Sequence, residues 1–424
     1  MRRALPFVFC AAIAACKPAS EAAAFRLRFA VVGPLTPLTP GIVPSDSSYA
    51  QRWVFEPLLR TAPDGSATGG LAIPLERLSP SRLRVALRQG ASFSDGSPVT
   101  VEDVRSSLRS DNLEVHEENS ALLIESPSGA ALEPILRQAD VYKRTGDSFI
   151  GSGPFRVVEQ SQDKLLLGRT RRVPGKIAEI LLTGFPTPRD TFAHTLAGDA
   201  DLAVLQDAKQ SEFFRGVDRV RVIHGPGANA IAVAMGTKRL TVDVRKTIAA
   251  AMPGADLGAL VFGEHCPPFP KAKGFDAPVR PRPFHVAYLQ NDLPLEHMAL
   301  AVARALGAGG GEVRSLSANT ALSLLKSQEF DLMIVRPLVW PPSAAAIVWA
   351  SDSPYNQFGY KNARVDAALR AGDWARALQE LQDDPPVVFI CTPERLAVVD
   401  SRVKNPQLGP YGLFETVPEW EIAE

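Results

Sequence analysis

Arg82-Leu83-Arg84-Val85-Ala86-Leu87-Arg88 alternates charged and apolar side chains with a period of two, and a few residues later the period becomes helical. The first pattern buries one face of a strand, and Val101, Val104 and Leu108 line one face of a helix. Between them Asp95-Gly96 breaks the strand. Thr100 followed by Asp103 then forms a capping-box-like start, with a hydroxyl to accept a helical N–H and an acid near the positive helix end. Strand, turn and capped helix follow one another without a spacer. The same alternation of strand and helix signals runs along the chain, which sets the class as mixed α and β.

Residues 1–16, MRRALPFVFCAAIAAC, are of another kind. Two arginines precede an apolar stretch too short to span a bilayer comfortably, as in a secretion signal. The stretch ends in Ile13-Ala14-Ala15-Cys16 and resembles the bacterial lipobox, with Ile13 in place of the commoner Leu. That resemblance implies a signal peptide over 1–15, a lipidated Cys16 and a polar tether over 16–24; an ordinary secreted protein cut nearby is the alternative. Several tens of buried CH₂ groups at roughly 0.8 kcal/mol each suffice for stable anchoring. The expected location is the periplasm or cell envelope, tethered to a membrane. Later apolar runs fall short of the roughly 20 residues of a membrane helix.

Lys plus Arg and Asp plus Glu both number 46, so no global field favours nucleic acid or an anionic membrane surface. A specific pocket suits such a chain better, and roughly 400 mature residues allow two or three domains. With Cys10 removed and Cys16 lipidated, Cys266 and Cys391 remain, in a compartment that permits disulfides. A bridge between them and two separate buried thiols both fit. Cys391 ends the apolar run VVFIC, which reads as a core strand.

Several separated segments resemble the peptide- and nickel-type extracellular solute-binding proteins that serve ABC importers. Leu87-Arg88, Phe93, Asp95, Gly96, Pro98, Asp103 and Val104 match that family's strand, Leu-Arg pair and Phe-x-Asp-Gly-x-Pro-x-x-x-x-Asp-Val stretch. WVFEPLLRTAPDG at 53–65 is similar to its Glu-x-Leu segment, and GSGPFRVVE at 151–159 to its Gly-Thr-Gly-Pro-Tyr strand. The run 177–205 resembles its strand, helix and Gly-x-x-Asp strand, and VDVRKTIAAAM at 242–252 its Val-Arg-x-Ala helix. FDLMIV, QFGYKNARVDAAL and DDPPVVFIC follow in family order.

The resemblance implies a two-lobed α/β fold of the periplasmic-binding-protein type (type II, cluster C), with an extra inserted domain and a hinge. A discontinuous first lobe would take 25–48, 151–265 and 403–424, the insert 49–150 and the second lobe 266–402. The Pro-rich, basic run 265–284 agrees with a seam there. The partners implied are an ABC permease in the cytoplasmic membrane and a peptide-like or other small organic ligand, bound by a monomer.

Chemistry-bearing clusters are few. LGAGGGE at 306–312 follows a helix and precedes a strand, the order of a helix C-cap and not of a phosphate cradle. His265 and Cys266 are adjacent but offer two ligands where zinc sites use three or four, so no metal or cofactor is expected. No local Gly-x-Ser-x-Gly motif supports a hydrolase, which stands as the weaker alternative. The basic run Arg169–Arg172 reads as a solvated strand end.

Residues 330–360 carry most of the ligand argument: a buried strand opens into a Pro-rich loop holding Arg336, Trp340, Trp349, Tyr355 and Asn356. Trp349 fits a core position and a stacking platform equally, while Trp340, beside two prolines, fits the platform. Peptide-binding relatives carry two acids after this strand, one of which can pair with a peptide's amino group; here Trp340 and Ser343 stand in those places. A buried ammonium without a counter-charge costs several kcal/mol. A ligand with apolar or planar surface and an anionic group is therefore expected. The alternative role is a lipoprotein that keeps the fold for sensing or for assisting a partner protein.

Overall fold

The computed structural model describes residues 25–423 apart from 36, 41–49, 63, 110–111, 120, 207, 270–282, 291, 308–310, 341–347, 354–355 and 410–414. Among them no helix is long and apolar enough to cross a membrane. Cys16 lies outside the described residues.

RLRFAVV alternates, and its strand Arg26–Val32 buries Leu27, Phe29 and Val31 against the Glu179–Phe185 strand, which runs parallel to it. Two parallel strands need a crossover. Thr187 caps the helix Pro188–Ala197 by accepting the Asp190 N–H at 3.2 Å, and Gly198, at φ 92°, ends it in a conformation that favours glycine. The chain then enters Leu202–Leu205 on the other side of Arg26–Val32. The Arg395–Asp400 strand, from far along the sequence, fits between Leu202–Leu205 and Val220–Gly225 and completes a seven-stranded sheet.

A carboxylate locks that return. Asp201, with no side-chain exposure, accepts from the Arg28 backbone N–H at 2.8 Å and from the guanidinium groups of Arg28 and Arg402, both at 2.6 Å. Arg28 also reaches the Gly198 carbonyl, and Arg402 the Arg26 carbonyl. Burial pushes the Asp201 carboxyl up, yet the Arg402 and Arg28 hydrogen bonds outweigh it and hold the group below 3.8.

The second lobe has a five-stranded sheet in the order Val313–Leu316, Val286–Leu289, Leu332–Val335, Ile231–Met235, Val387–Cys391. The first three are parallel, joined by helices Leu293–Ala305 and Ala318–Ser327, and the last two pair antiparallel. Apolar clusters cover both faces. The chain leaves the seven-stranded sheet after Gly225, enters the five-stranded one at Ile231, leaves it at Cys391 and returns at Arg395. The crossings thus run through 226–230 and 392–394, ahead of the seams expected near 265 and 402. Backbone pairing decides this: IAVAM is wholly buried and bonds on both edges to second-lobe strands, whereas RLAVVD bonds on both edges to first-lobe strands.

The inserted unit has its own core and a four-stranded antiparallel sheet made of Ala72–Ser79, Arg82–Leu87, Ala121–Glu125 and Glu114–Glu118. Thr100 accepts the Asp103 N–H at 3.2 Å while Asp103 accepts the Thr100 N–H at 2.8 Å, a complete capping box on Val101–Leu108. Asp95 accepts from the Ser97 hydroxyl and N–H and from Lys143, contacts that lower its pKa from 3.8 to about 2. Arg88 grips Glu56 with two 2.9 Å bonds, and Arg60 adds a third at 2.8 Å. The Leu-Arg and Glu-x-Leu segments are therefore two halves of one ion pair. A Cβ on Gly153 would lie 2.4 Å from the Trp53 carbonyl oxygen, so the Gly-x-Gly-Pro segment needs a glycine where it packs against the Gln51–Val54 helix.

Asp201→Asn keeps the shape and removes the charge. Breaking a buried pair costs about 3–5 kcal/mol; with both arginines a third open, about 3 kcal/mol is expected from the urea midpoint. The folded pKa is depressed, so this stability is present above pH 3.8 and is lost as pH falls through the folded value. Wild type and variant should converge in acid-unfolding titrations; equal stability at neutral pH would refute the role of the clamp.

Candidate functional site

The two crossings touch one another. A Cβ on Gly227 would sit 2.0 Å from the Pro393 carbonyl oxygen, which leaves room there for glycine alone. Beyond Val335 the chain runs alongside the first crossing. Ala230 donates to the Pro337 carbonyl at 2.9 Å, and Val339 and Trp340 donate to the Ala228 carbonyl at 2.8 and 3.2 Å. The Asn229 side chain donates to the Arg336 carbonyl at 3.1 Å and accepts from Arg395 at 3.3 Å. Arg336 and Trp340 are thereby fixed where the lobes join, at the C-terminal end of a sheet strand.

The expected ligand residues that are described have distinct places. Trp340 is half-buried. Arg336 forms a 2.9 Å ion pair with Asp292, whose carboxylate also caps the helix Leu293–Ala305 through the Leu295 N–H. Its charge is thus balanced within the second lobe. Trp349 is 0% exposed, stacked on Phe358 with centroids 4.5 Å apart and edge-on to Phe389, in the core of the second lobe. Asn356 spends its amide N–H groups on the Ala350 and Tyr360 carbonyls and braces the loop. Tyr355 and Ser343 lie outside the described residues.

The loop after Asn356 is scaffold. Tyr360 donates to the Asp384 carbonyl at 3.1 Å and accepts from Asn362 at 2.9 Å, and burial pushes its hydroxyl up to about 12. Asp384 pairs in turn with the buried Arg245. Asp352, Ser353 and Asp366 of this region line a pocket whose far wall is Ala130, Pro134 and Ile135 of the insert. Asp292 and Asn229 were not singled out in the sequence. Asp292 before Leu-Pro-Leu-Glu is a helix-cap signal, and nothing local marks it as the partner of Arg336.

Cys266 and Cys391 form a disulfide across a separation of 125 residues, with Cα atoms 5.4 Å apart. It joins the turn after Gly254–Phe262 to the end of Val387–Cys391, so the alternative of two separate thiols gives way to a bridge. The chain-entropy model assigns a loop of that order about 4.7 kcal/mol, and measured values are typically about 2–4 kcal/mol. Cys266 is consequently no metal ligand. LGAGGGE begins where Leu293–Ala305 ends, with the Gly307 N–H on the Arg304 carbonyl, as a helix C-terminus should. Arg169 lies over the Phe155 ring and donates to the Ile177 and Pro418 carbonyls, so it packs the first lobe.

No protein-family model and no curated protein matches the chain. Solved structures do. The ABC transporter substrate-binding protein CtaP of Listeria monocytogenes superimposes with a TM-score of 0.74 at 16% identity, covering 94% of this chain and 99% of its own. The oligopeptide-binding protein AppA of Bacillus subtilis, in complex with a nonapeptide, gives 0.74 at 15% identity, with 94% and 99% covered. NikA of Brucella suis, in complex with Fe(III)-EDTA, gives 0.75 at 15%, with 94% and 100% covered. The fold is that of the two-lobed solute-binding proteins. At this identity the likeness establishes architecture, and residue roles rest on the geometry above.

The two tryptophans should separate cleanly. Trp349→Ala is expected to cost about 3–5 kcal/mol in chemical denaturation, whereas Trp340→Ala should cost about 1 kcal/mol or less. Comparable losses for both would mean that Trp340 is a core residue too.

Proposed function

We propose that this protein is an extracytoplasmic substrate-binding lipoprotein of an ABC-type importer, which captures a peptide-like or other small organic ligand between its lobes and delivers it to a membrane permease. The observation that carries this reading is the joining of two sheet lobes by two short crossings, with the Arg336–Trp340 run laid along one of them. Short connections let lobes turn as bodies, and a ligand at the seam is buried by closure. Solved structures of like fold include the oligopeptide-binding protein AppA, the murein tripeptide binding protein MppA of Escherichia coli and NikA in complex with Fe(III)-EDTA, which supports binding without catalysis. The protein acts as a monomer outside the cytoplasm.

The ligand presents apolar or planar surface to Trp340 and an acceptor to Arg336. An acid in the ligand has to compete with Asp292 for that guanidinium, so it contributes orientation more than affinity. Native mass spectrometry of the purified protein should reveal a co-purified small molecule. In calorimetry with that molecule, Trp340→Ala should weaken binding by about tenfold, or about 1.4 kcal/mol. Tight binding of free-amino peptides that N-acetylation abolishes would overturn this ligand class, since it requires an unpaired acid in the site.

A second reading has the fold kept for sensing or for a partner protein. Burial of Trp349 and neutralisation of Arg336 favour it, because they withdraw two of the expected ligand contacts. An empty cleft by mass spectrometry, with no thermal shift across small-molecule libraries, would select this reading.

The anchor rests on the Ile13-Ala14-Ala15-Cys16 segment. Cys16→Ser should move the protein from the membrane fraction to the soluble fraction or leave the precursor uncut. Acylation and membrane retention of that variant would disprove the anchor.

A further inference from the structure

The chain has 6 histidines, dispersed in sequence, and folding brings two of them to one acid. His224 lies in the Val220–Gly225 strand just ahead of the first crossing, His265 ends the turn Gly263–His265, and Glu394 lies in the second crossing. His265 Nδ1 is 2.9 Å from Glu394 Oε2, and His224 Nδ1 is 3.5 Å from the same oxygen. The two imidazoles have centroids 5.1 Å apart and planes tilted by 30°. One ligand atom from each of the three residues falls within 4.8 Å of the others.

The backbone holds this arrangement without help from the side chains. Glu394 donates its N–H to the His265 carbonyl at 2.8 Å, and Thr392 donates to the Pro267 carbonyl at 3.0 Å. The neighbouring Cys266–Cys391 disulfide joins the same two segments covalently. Side-chain exposures of 45%, 28% and 37% for His224, His265 and Glu394 leave the cluster reachable from solvent. The guanidinium of the adjacent Arg395 donates to Asn229.

Two imidazoles and a carboxylate are a ligand set of open zinc sites and suit neighbouring transition metals. Around a tetrahedral ion with bonds of about 2.0–2.1 Å, ligand atoms stand about 3.3 Å apart. The separations of 2.9 and 3.5 Å bracket that value. We propose that His224, His265 and Glu394 bind a divalent transition-metal ion of the zinc or nickel kind at the junction of the lobes, with water completing its coordination. Each imidazole offers the ion a ring nitrogen that carries no proton and keeps its proton on the other, so binding weakens as the histidines protonate. It ties a first-lobe strand to a turn of the second lobe. This site is independent of the organic ligand proposed above. A second group, Glu114, His116 and Glu125, lies on paired strands of the insert, offers a single imidazole and has two members exposed, and it serves as the control.

The experiment is titration of the chelator-treated mature protein, disulfide intact, with Zn(II) and separately with Co(II) in the absence of organic ligand. One equivalent should bind, with a rise in melting temperature and a Co(II) visible spectrum of a nitrogen–oxygen site. Even outer-shell partners of a metal are worth about 10–100-fold, so His224→Ala, His265→Ala and Glu394→Gln should each weaken affinity by roughly 100-fold. His116→Ala should leave it unchanged. Should a variant misfold by circular dichroism, the wild-type protein still decides: two histidine ring resonances must shift on zinc addition. No saturable binding, or saturable binding that survives loss of both His224 and His265, overturns the proposal.

Discussion

The carboxylate of Asp201, closed off from water between Arg28 and Arg402, is the constraint on which the architecture rests. It belongs to the start of one strand and binds a residue of the first strand and another just past the Arg395–Asp400 strand. Those partners are separated by nearly the whole chain. A protein whose second lobe is spliced into its first must bring the returning segment to the right edge, and generic apolar pairing would accept a shifted register. A paired buried charge does not, because a slip leaves it unpaired in a dry site at several kcal/mol. The neighbouring Asp400, which receives the Arg402 N–H, repeats the restraint on the incoming strand.

Much of this was legible because it is local. The Thr100–Asp103 box, the break at Asp95-Gly96, the Pro188–Ala197 helix ending at Gly198 and the VVFIC strand all depend on residues within a few positions of each other. The crossings were not legible for the opposite reason. Ile231–Met235 and Arg395–Asp400 are apolar runs that either sheet could accept, and their membership is decided by pairing partners far away in the sequence. Arg88 and Glu56 were each visible as parts of a resemblance, but their union appears only in three dimensions.

The candidate site shows the same division. Residue type and a Pro-rich context sufficed to bring forward Trp340, which the structure leaves half-buried at the lobe junction. The same reasoning could not separate Trp349 from Trp340, since large aromatics serve cores and ligands alike; the stacked Phe358 makes the distinction. Arg336 looked available because its partner, Asp292, begins a different helix. Charges read one segment at a time overstate what a site can offer a ligand.

The place of the Arg395–Asp400 strand also bears on biosynthesis. It is an interior member of its sheet, flanked by Leu202–Leu205 and Val220–Gly225, yet it is made after the entire second lobe. A ribosome that has released residue 225 has therefore delivered two strands whose facing edges have nothing to bond. Such open edges are templates for pairing with other chains, and they persist until the last few dozen residues emerge. The nascent chain must be kept apart from its copies through much of the second half of its synthesis, and a truncation that removes residues 395–400 leaves the first lobe with a gap in its sheet.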